Sequence, residues 1–244
     1  MSKDIHNKVT PTEMLSQRSR KLAPSLIREI SEEAYGIKDI IPLWFGEGCW
    51  PTSDIAVEAV NKALRENDHF YQPNSGKPQL REDICKYYEK VYNLNIRVPN
   101  VTVTASGMNG LALVAQALVS QNDKVVAIEP SWPNIAETFR ISGAEISTIT
   151  LGIKNNRWTL DMDQLLSMIT NVTKAVLINS PNNPTGWTMS KADQQRLLEH
   201  CRKTSTWIVA DDVYSRLSYS GPYAPNFLKI CNTNDLVISV NSFS

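Results

Sequence analysis

The sequence predicts an α/β protein whose mostly parallel sheet is sandwiched by helices. Three observations carry this expectation. Short apolar runs of buried-strand length occur at residues 101–104, 125–128, 146–149, 175–178, 207–210 and 236–240. Stretches with helical periodicity separate most of them, which is the alternation of a parallel sheet covered on both faces. Polar residues then fall just past five of the six runs: Ser106-Gly107, Ser131-Trp132, the block from Asn179 to Asn183, Asp211 and Ser242. Open α/β sheets bind ligands at the carboxyl ends of their strands, so one side of this sheet reads as a site.

Composition sets the bounds. The chain has 244 residues, of which 42% are hydrophobic and 20% charged, ordinary globular usage with enough apolar residues for a sizeable core. Basic and acidic residues number 25 each, for a formal net charge of +0. No global field therefore attracts nucleic acid or an anionic membrane. The polar start, Met1-Ser2-Lys3-Asp4-Ile5-His6, has no signal-peptide pattern, and the longest apolar stretch, residues 110–119, is too short to span a bilayer. A cytoplasmic location is expected. Cys49, Cys85, Cys201 and Cys231 lie far apart with no CxxC pair and read as thiols of a reducing compartment. His6, His69 and His200 show no metal-ligand spacing, so no metal site is expected.

Taken in order, residues 1–20 read as a polar arm. Ser25 opens a helix with Leu26, Ile27 and Ile30 on one side and Gly36 as its stop. An extended segment follows, ending in Gly46-Glu47-Gly48, where glycine permits close backbone approach. Thr52 and Ser53 cap a helix with Ile55, Ala59, Val60, Ala63 and Leu64 at helical spacing. The loop from His69 to Gly76 leads to Pro78, a first-turn proline. Its helix carries Leu80, Ile84, Tyr87 and Val91 as the expected buried stripe. Leu111, Val114, Ala115 and Leu118 form one face of the next helix, and further helices are expected over 133–141 and 161–169. Ser190-Lys191-Ala192-Asp193 is a capping-box start for a helix through Cys201. No internal repeat or low-complexity linker interrupts the series.

Asn179-Ser180-Pro181-Asn182-Asn183-Pro184-Thr185-Gly186 follows the apolar run 175–178 and cannot continue a strand, so it fixes its asparagines at the strand's carboxyl end. With Asp211-Asp212-Val213-Tyr214 downstream, this block resembles the fold-type I, class I/II aminotransferases, which use pyridoxal 5′-phosphate (PLP). The resemblance runs over nearly the whole chain. It implies residues 1–48 as an N-terminal arm and part of a small domain, and 49–244 as a PLP-binding large domain.

Residue by residue, Ser106, Gly107 and Met108 are similar to the family's phosphate cup, and small residues at a helix N-terminus do leave N–H groups free for a phosphate. Trp132, in Glu129-Pro130-Ser131-Trp132-Pro133-Asn134, corresponds to the aromatic residue that stacks on the pyridine ring. Asn183 corresponds to the residue that hydrogen-bonds O3′, and Tyr214 shares that oxygen. A carboxylate at the buried end of a strand needs a cation. By resemblance, the partner of Asp211 is the protonated pyridine nitrogen, an ion pair that keeps the ring an electron sink. The plain reading of Asp211-Asp212 is a helix N-cap. Ser242 joins the cofactor set, and Tyr71 corresponds to a tyrosine that reaches the phosphate of the other subunit of a homodimer. Gly46, Trp132 and Asn183 are the expected substrate-binding positions, for an amino acid and a 2-oxo acid.

The resemblance places the family's Schiff-base lysine immediately after Ser244, so no catalytic residue is assigned within the chain, and Lys229 lies outside the matching motif. It also places later residues that this sequence does not contain: an arginine that pairs with the phosphate, a strand between the first and sixth strands, and a C-terminal small domain. The expectation is an incomplete large domain with no small domain, and a 244-residue chain that is poorly soluble and inactive by itself. Other fold-type I chemistries (decarboxylase, lyase, synthase) share these contacts, and a non-catalytic PLP-binding protein is the alternative from another class. A DNA-binding regulator is disfavoured, since residues 1–40 carry neither a basic patch nor a helix-turn-helix pattern. A hydrolase triad lacks a G-x-S-x-G, and a nicotinamide site lacks a G-x-G-x-x-G after the first strand.

Overall fold

The structure, a computed structural model, describes residues 10–22 and 24–243. The polar start through His6 and the position of Ser244 lie outside the described residues. Two short 3-10 turns occupy the described arm, where Arg18 donates to the carbonyl of Ile141 at 2.9 Å. Helix α1 (Leu26–Glu33) is capped by Ser25 and followed by Gly36 in the left-handed region, as its sequence predicts. Helix α2 (Asp54–Arg65) starts after Ser53, whose hydroxyl makes no cap bond.

Helix α3 (Pro78–Tyr92) has proline in its first turn and closes on Asn93 in the left-handed region. Its buried face lies one residue along from the expected stripe. Tyr88 and Tyr92 are buried, at 8% and 1% exposure, while Tyr87 faces outward at 41%. Both buried tyrosines direct hydroxyls at polar partners inside the molecule, and that outweighs the aliphatic side of the helix.

The expected strand at 101–104 is not a strand. The segment is extended, and Val103 N–H bonds Ser75 O, but no ladder neighbour lies beside it among the described residues. A strand exists only through its partners. Gly76 (φ +97) is what lets the chain pass there, since a Cβ on it would lie 2.6 Å from Val103 Cβ.

The remaining elements alternate as expected: α4 (Gly107–Leu118), β1 (Lys124–Glu129), α5 (Pro133–Ser142) and β2 (Glu145–Thr150). A hairpin of β3 (Gly152–Lys154) and β4 (Arg157–Thr159) was not anticipated. Its signal is Asn155-Asn156, both at positive φ, the backbone that a two-residue hairpin turn requires. Then come α6 (Met162–Met168), β5 (Thr173–Asn179), α7 (Lys191–Thr204), β6 (Trp207–Asp211) and β7 (Val237–Val240). The five-stranded sheet has the order β2-β1-β5-β6-β7, with every pair parallel.

Alternation along the central strands builds a core on each face. Val126, Ile128, Val176, Ile178, Ile208 and Ala210 face Leu165 of α6 and Leu197, Leu198 and Cys201 of α7. Val125, Ala127, Ala175, Leu177 and Val209 face Leu111 and Ala115 of α4 and Ile135 and Phe139 of α5. Burial pushes the Cys201 thiol up to about 12, so it behaves as a small hydrophobe. No helix among the described residues is long and apolar enough to cross a membrane.

Candidate functional site

The parallel register brings the carboxyl ends of β5, β6 and β7 together, with Asn179 opposite Asp211 and Asp211 opposite Val240. Buried Asn179 organises this edge. Its Oδ1 accepts the N–H of Asn183 at 2.8 Å, and its Nδ2 donates to the Asp211 carbonyl at 3.3 Å. The turn after β5 is held further by Asn182 Oδ1, which accepts from Thr185 N–H and Oγ1. Asn183 is thereby half-buried with its amide turned to Tyr214, donating to that hydroxyl at 3.4 Å. The sequence block gave the asparagines their place, but not the separate task of Asn179.

Asp211 is 6% exposed at the end of β6. Burial raises its carboxyl to about 6, opposed by the N–H of Val213, which donates to it at 3.3 Å. No basic side chain is among its hydrogen-bond or ion-pair partners in the described residues. Asp212 is buried too. It accepts from Asn226 Nδ2 at 3.1 Å and from the Ser239 hydroxyl, and burial pushes its carboxyl up to about 7. The two aspartates cap no helix, because residues 213–216 form a turn. That corrects the plain reading of the doublet: both carboxylates have buried tertiary surroundings.

Gly46 belongs to the same place. A Cβ on Gly46 would lie 2.9 Å from Tyr214 Oη, so only glycine lets the 46–48 segment approach this hydroxyl. At the other end of the site Ser106 caps α4, its Oγ accepting the N–H of Asn109 at 3.0 Å. Gly107 sits against the end of β7, where an added Cβ would lie 3.5 Å from Ser242 Cβ. Ser242 is half-buried, and its N–H bonds Asn241 Oδ1 at 2.8 Å. Met108 and Trp132 are half-buried against the core under α4 and α5, with Trp132 at the position preceding α5. Tyr71 stands fully exposed, apart from this cluster.

The donor set suits a phosphorylated, cationic aromatic. The α4 N-terminus offers backbone N–H groups to an anion, Asn183 and Tyr214 offer polar groups to a ring oxygen, and the buried carboxylate needs a cation. Comparison with known proteins gives the same class. The family model for aminotransferase class I and II matches residues 38–244. The chain is 32% identical to the aspartate aminotransferase of Pyrococcus horikoshii over 230 residues, 94% of this chain and 58% of that protein. It is also 32% identical to the Geobacillus stearothermophilus aspartate aminotransferase, over 85% of this chain and 53% of that one. The solved aspartate aminotransferase of Thermotoga maritima superposes with a TM-score of 0.85 at 27% identity, covering 94% of this chain and 62% of that one. The chain belongs to the class I and II aminotransferases, with the fold-type I architecture. It spans somewhat more than half the length of the curated relatives it matches.

Proposed function

We propose that these residues form the cofactor-binding part of a PLP-dependent aminotransferase, which moves an amino group between an amino acid and a 2-oxo acid. The observation that carries the reading is Asp211: a carboxylate buried at a parallel strand end, without a cation among its described partners, one turn from the Asn183–Tyr214 pair. Such a group is costly unless a cation joins it. When bound, PLP supplies that cation at its ring nitrogen and serves as the electron sink of the reaction.

In this reading Asp211 holds the ring-nitrogen proton, and Asn183 and Tyr214 orient the ring through its O3′ oxygen. Ser106, Gly107, Met108 and Ser242 hold the phosphate, and Trp132 covers one face of the ring. Gly46 gives a substrate close access beside Tyr214. Tyr71, exposed in this chain, suits a contact with a second subunit of a homodimer. The Pyrococcus horikoshii and Geobacillus stearothermophilus relatives are aspartate aminotransferases, which makes aspartate with a 2-oxo acid the first substrate pair to test.

The test is titration of the 244-residue chain with PLP, followed by visible absorbance and circular dichroism. Saturable uptake that Asp211→Ala and Asn183→Ala each weaken at least tenfold is expected. Uptake indifferent to both substitutions would sink the assignment. No lysine is a hydrogen-bond partner of Asn183, Asp211 or Tyr214 among the described residues. Borohydride should therefore fix no PLP to a lysine in a manner that depends on Asn183 or Asp211, and aspartate with 2-oxoglutarate should give no turnover by these 244 residues.

A further inference from the structure

Three residues assigned above to PLP are followed or preceded in the chain by residues held by hydrogen bonds to polar side chains of other segments. Asp211 is followed by Asp212, Tyr214 by Ser215, and Ser242 is preceded by Asn241. Ser215 is 3% exposed and shares a hydrogen bond with Tyr92 Oη at 2.9 Å. Asn241 donates from Nδ2 to Tyr88 Oη at 3.3 Å while its Oδ1 holds the N–H of Ser242. Asp212 is fixed by Ser239 and Asn226, and its own N–H bonds the carbonyl of Val240 at 2.8 Å.

Both tyrosines lie on α3, with ring centroids 5.1 Å apart. One helix thus grips the turn after β6 and the end of β7 at the same time. Buried, mutually satisfied polar groups of this kind fix geometry more than they add net stability. Among the described residues, the titratable groups that act on Asp212 are Asp211 on its own segment and Tyr88 from α3. None of them is a cation.

We propose that Tyr88 and Tyr92, through Asn241 and Ser215, are positioning residues that together with Asp212 set the spacing between the phosphate end and the ring end of the cofactor site. The inference rests on the PLP reading above, and it assigns α3 a role that its sequence does not announce. Neither tyrosine touches the cofactor; each acts through its partner's chain neighbour.

The variants are Tyr88→Phe and Tyr92→Phe, each of which removes one hydroxyl and keeps the ring packing. Two readouts are taken on the 244-residue chain: amide hydrogen exchange without PLP, and the visible circular dichroism band during PLP titration. Tyr92→Phe should speed exchange at Ser215 and Leu217 about tenfold, the factor that one ordinary buried hydrogen bond is worth. Tyr88→Phe should do the same at Ser242, and amides of β5 should keep their wild-type protection. Both variants should weaken PLP uptake and shrink the dichroic band per bound PLP, a spectroscopic change that a packing defect elsewhere would not produce. Unchanged uptake and dichroism in both variants, or exchange raised equally in β5, overturns this inference alone. A wild-type chain that takes up no PLP overturns the cofactor reading and this inference with it.

Discussion

Helices α1 and α2 differ sharply from α4 through α7, although all six carry apolar residues at helical spacing. Each of the later four buries at least two side chains against the sheet, with Ala115, Phe139, Leu165 and Leu197 at 0% exposure. Neither α1 nor α2 has a buried residue. Ile55, Leu26 and Ile30 stand 84%, 71% and 61% exposed. Periodicity therefore marks a face that wants cover, and it does not say what covers it. For α4 to α7 the cover is the chain's own sheet. For α1 and α2 the described residues leave that face largely uncovered, with Ile27 and Ala63 half-buried and no residue fully buried.

Substitutions at matched positions test that contrast. The largest expected effect is Phe139→Ala, which leaves a cavity in the core under α5 and should cost about 3–5 kcal/mol of stability in urea unfolding. A loss below about 1 kcal/mol would mean that this core is not close-packed.

Second comes the buried pair at the strand ends. The folded-state carboxyl of Asp211 titrates at about 6 and that of Asp212 at about 7, both above the ordinary 3.8. The folded chain therefore binds protons more tightly than the unfolded one, and stability is greatest below about pH 4 for these two groups and falls as pH rises toward 7. Asp211→Asn should remove roughly 3 kcal/mol of that decline, stabilising the chain at pH 8 and not at pH 4. Unfolding midpoints taken across that range check it, and an unchanged slope would contradict the desolvated environment.

Third, the same cap chemistry can be compared in the two regions. Ser190 accepts the N–H of Asp193 at 3.0 Å and donates to its carboxylate at 2.8 Å, so Ser190→Ala should cost about 1 kcal/mol. Ser25→Ala at the start of α1, where the bond to Arg28 N–H is 3.5 Å, should not move the global transition. A comparably small effect is expected for Ile55→Ser on α2, within about 0.5 kcal/mol. A large loss there would show that α2 is covered in solution.

The parallel strands from residue 124 onward and the helices between them were legible, because buried parallel strands are short apolar runs and amphipathic helices repeat their apolar side. The hairpin at Asn155-Asn156 was legible in principle from its turn residues. Helix α3 was readable as a helix but not in its orientation, since Tyr88 and Tyr92 go inward for partners more than a hundred residues away. The segment 101–104 shows the same limit. Its apolar run reads as a strand, yet a strand is a relation to a neighbour, and the described residues provide none.

The site divides in the same way. The sequence by itself determined that asparagines and aspartates stand at strand ends: turn-forming residues and apolar runs are local properties of the chain. The family resemblance of that block, and no local property, then named Asn183, Asp211 and Tyr214 as cofactor candidates. Tertiary structure alone decided that Asn179 ties β5 to β6, that Gly46 abuts Tyr214, and that Asp212 is buried beside Ser239 and Asn226 instead of capping a helix. Contacts of that kind depend on parallel register between strands distant in the chain, and burial, which sets the charge of both aspartates, is a property of the packed whole.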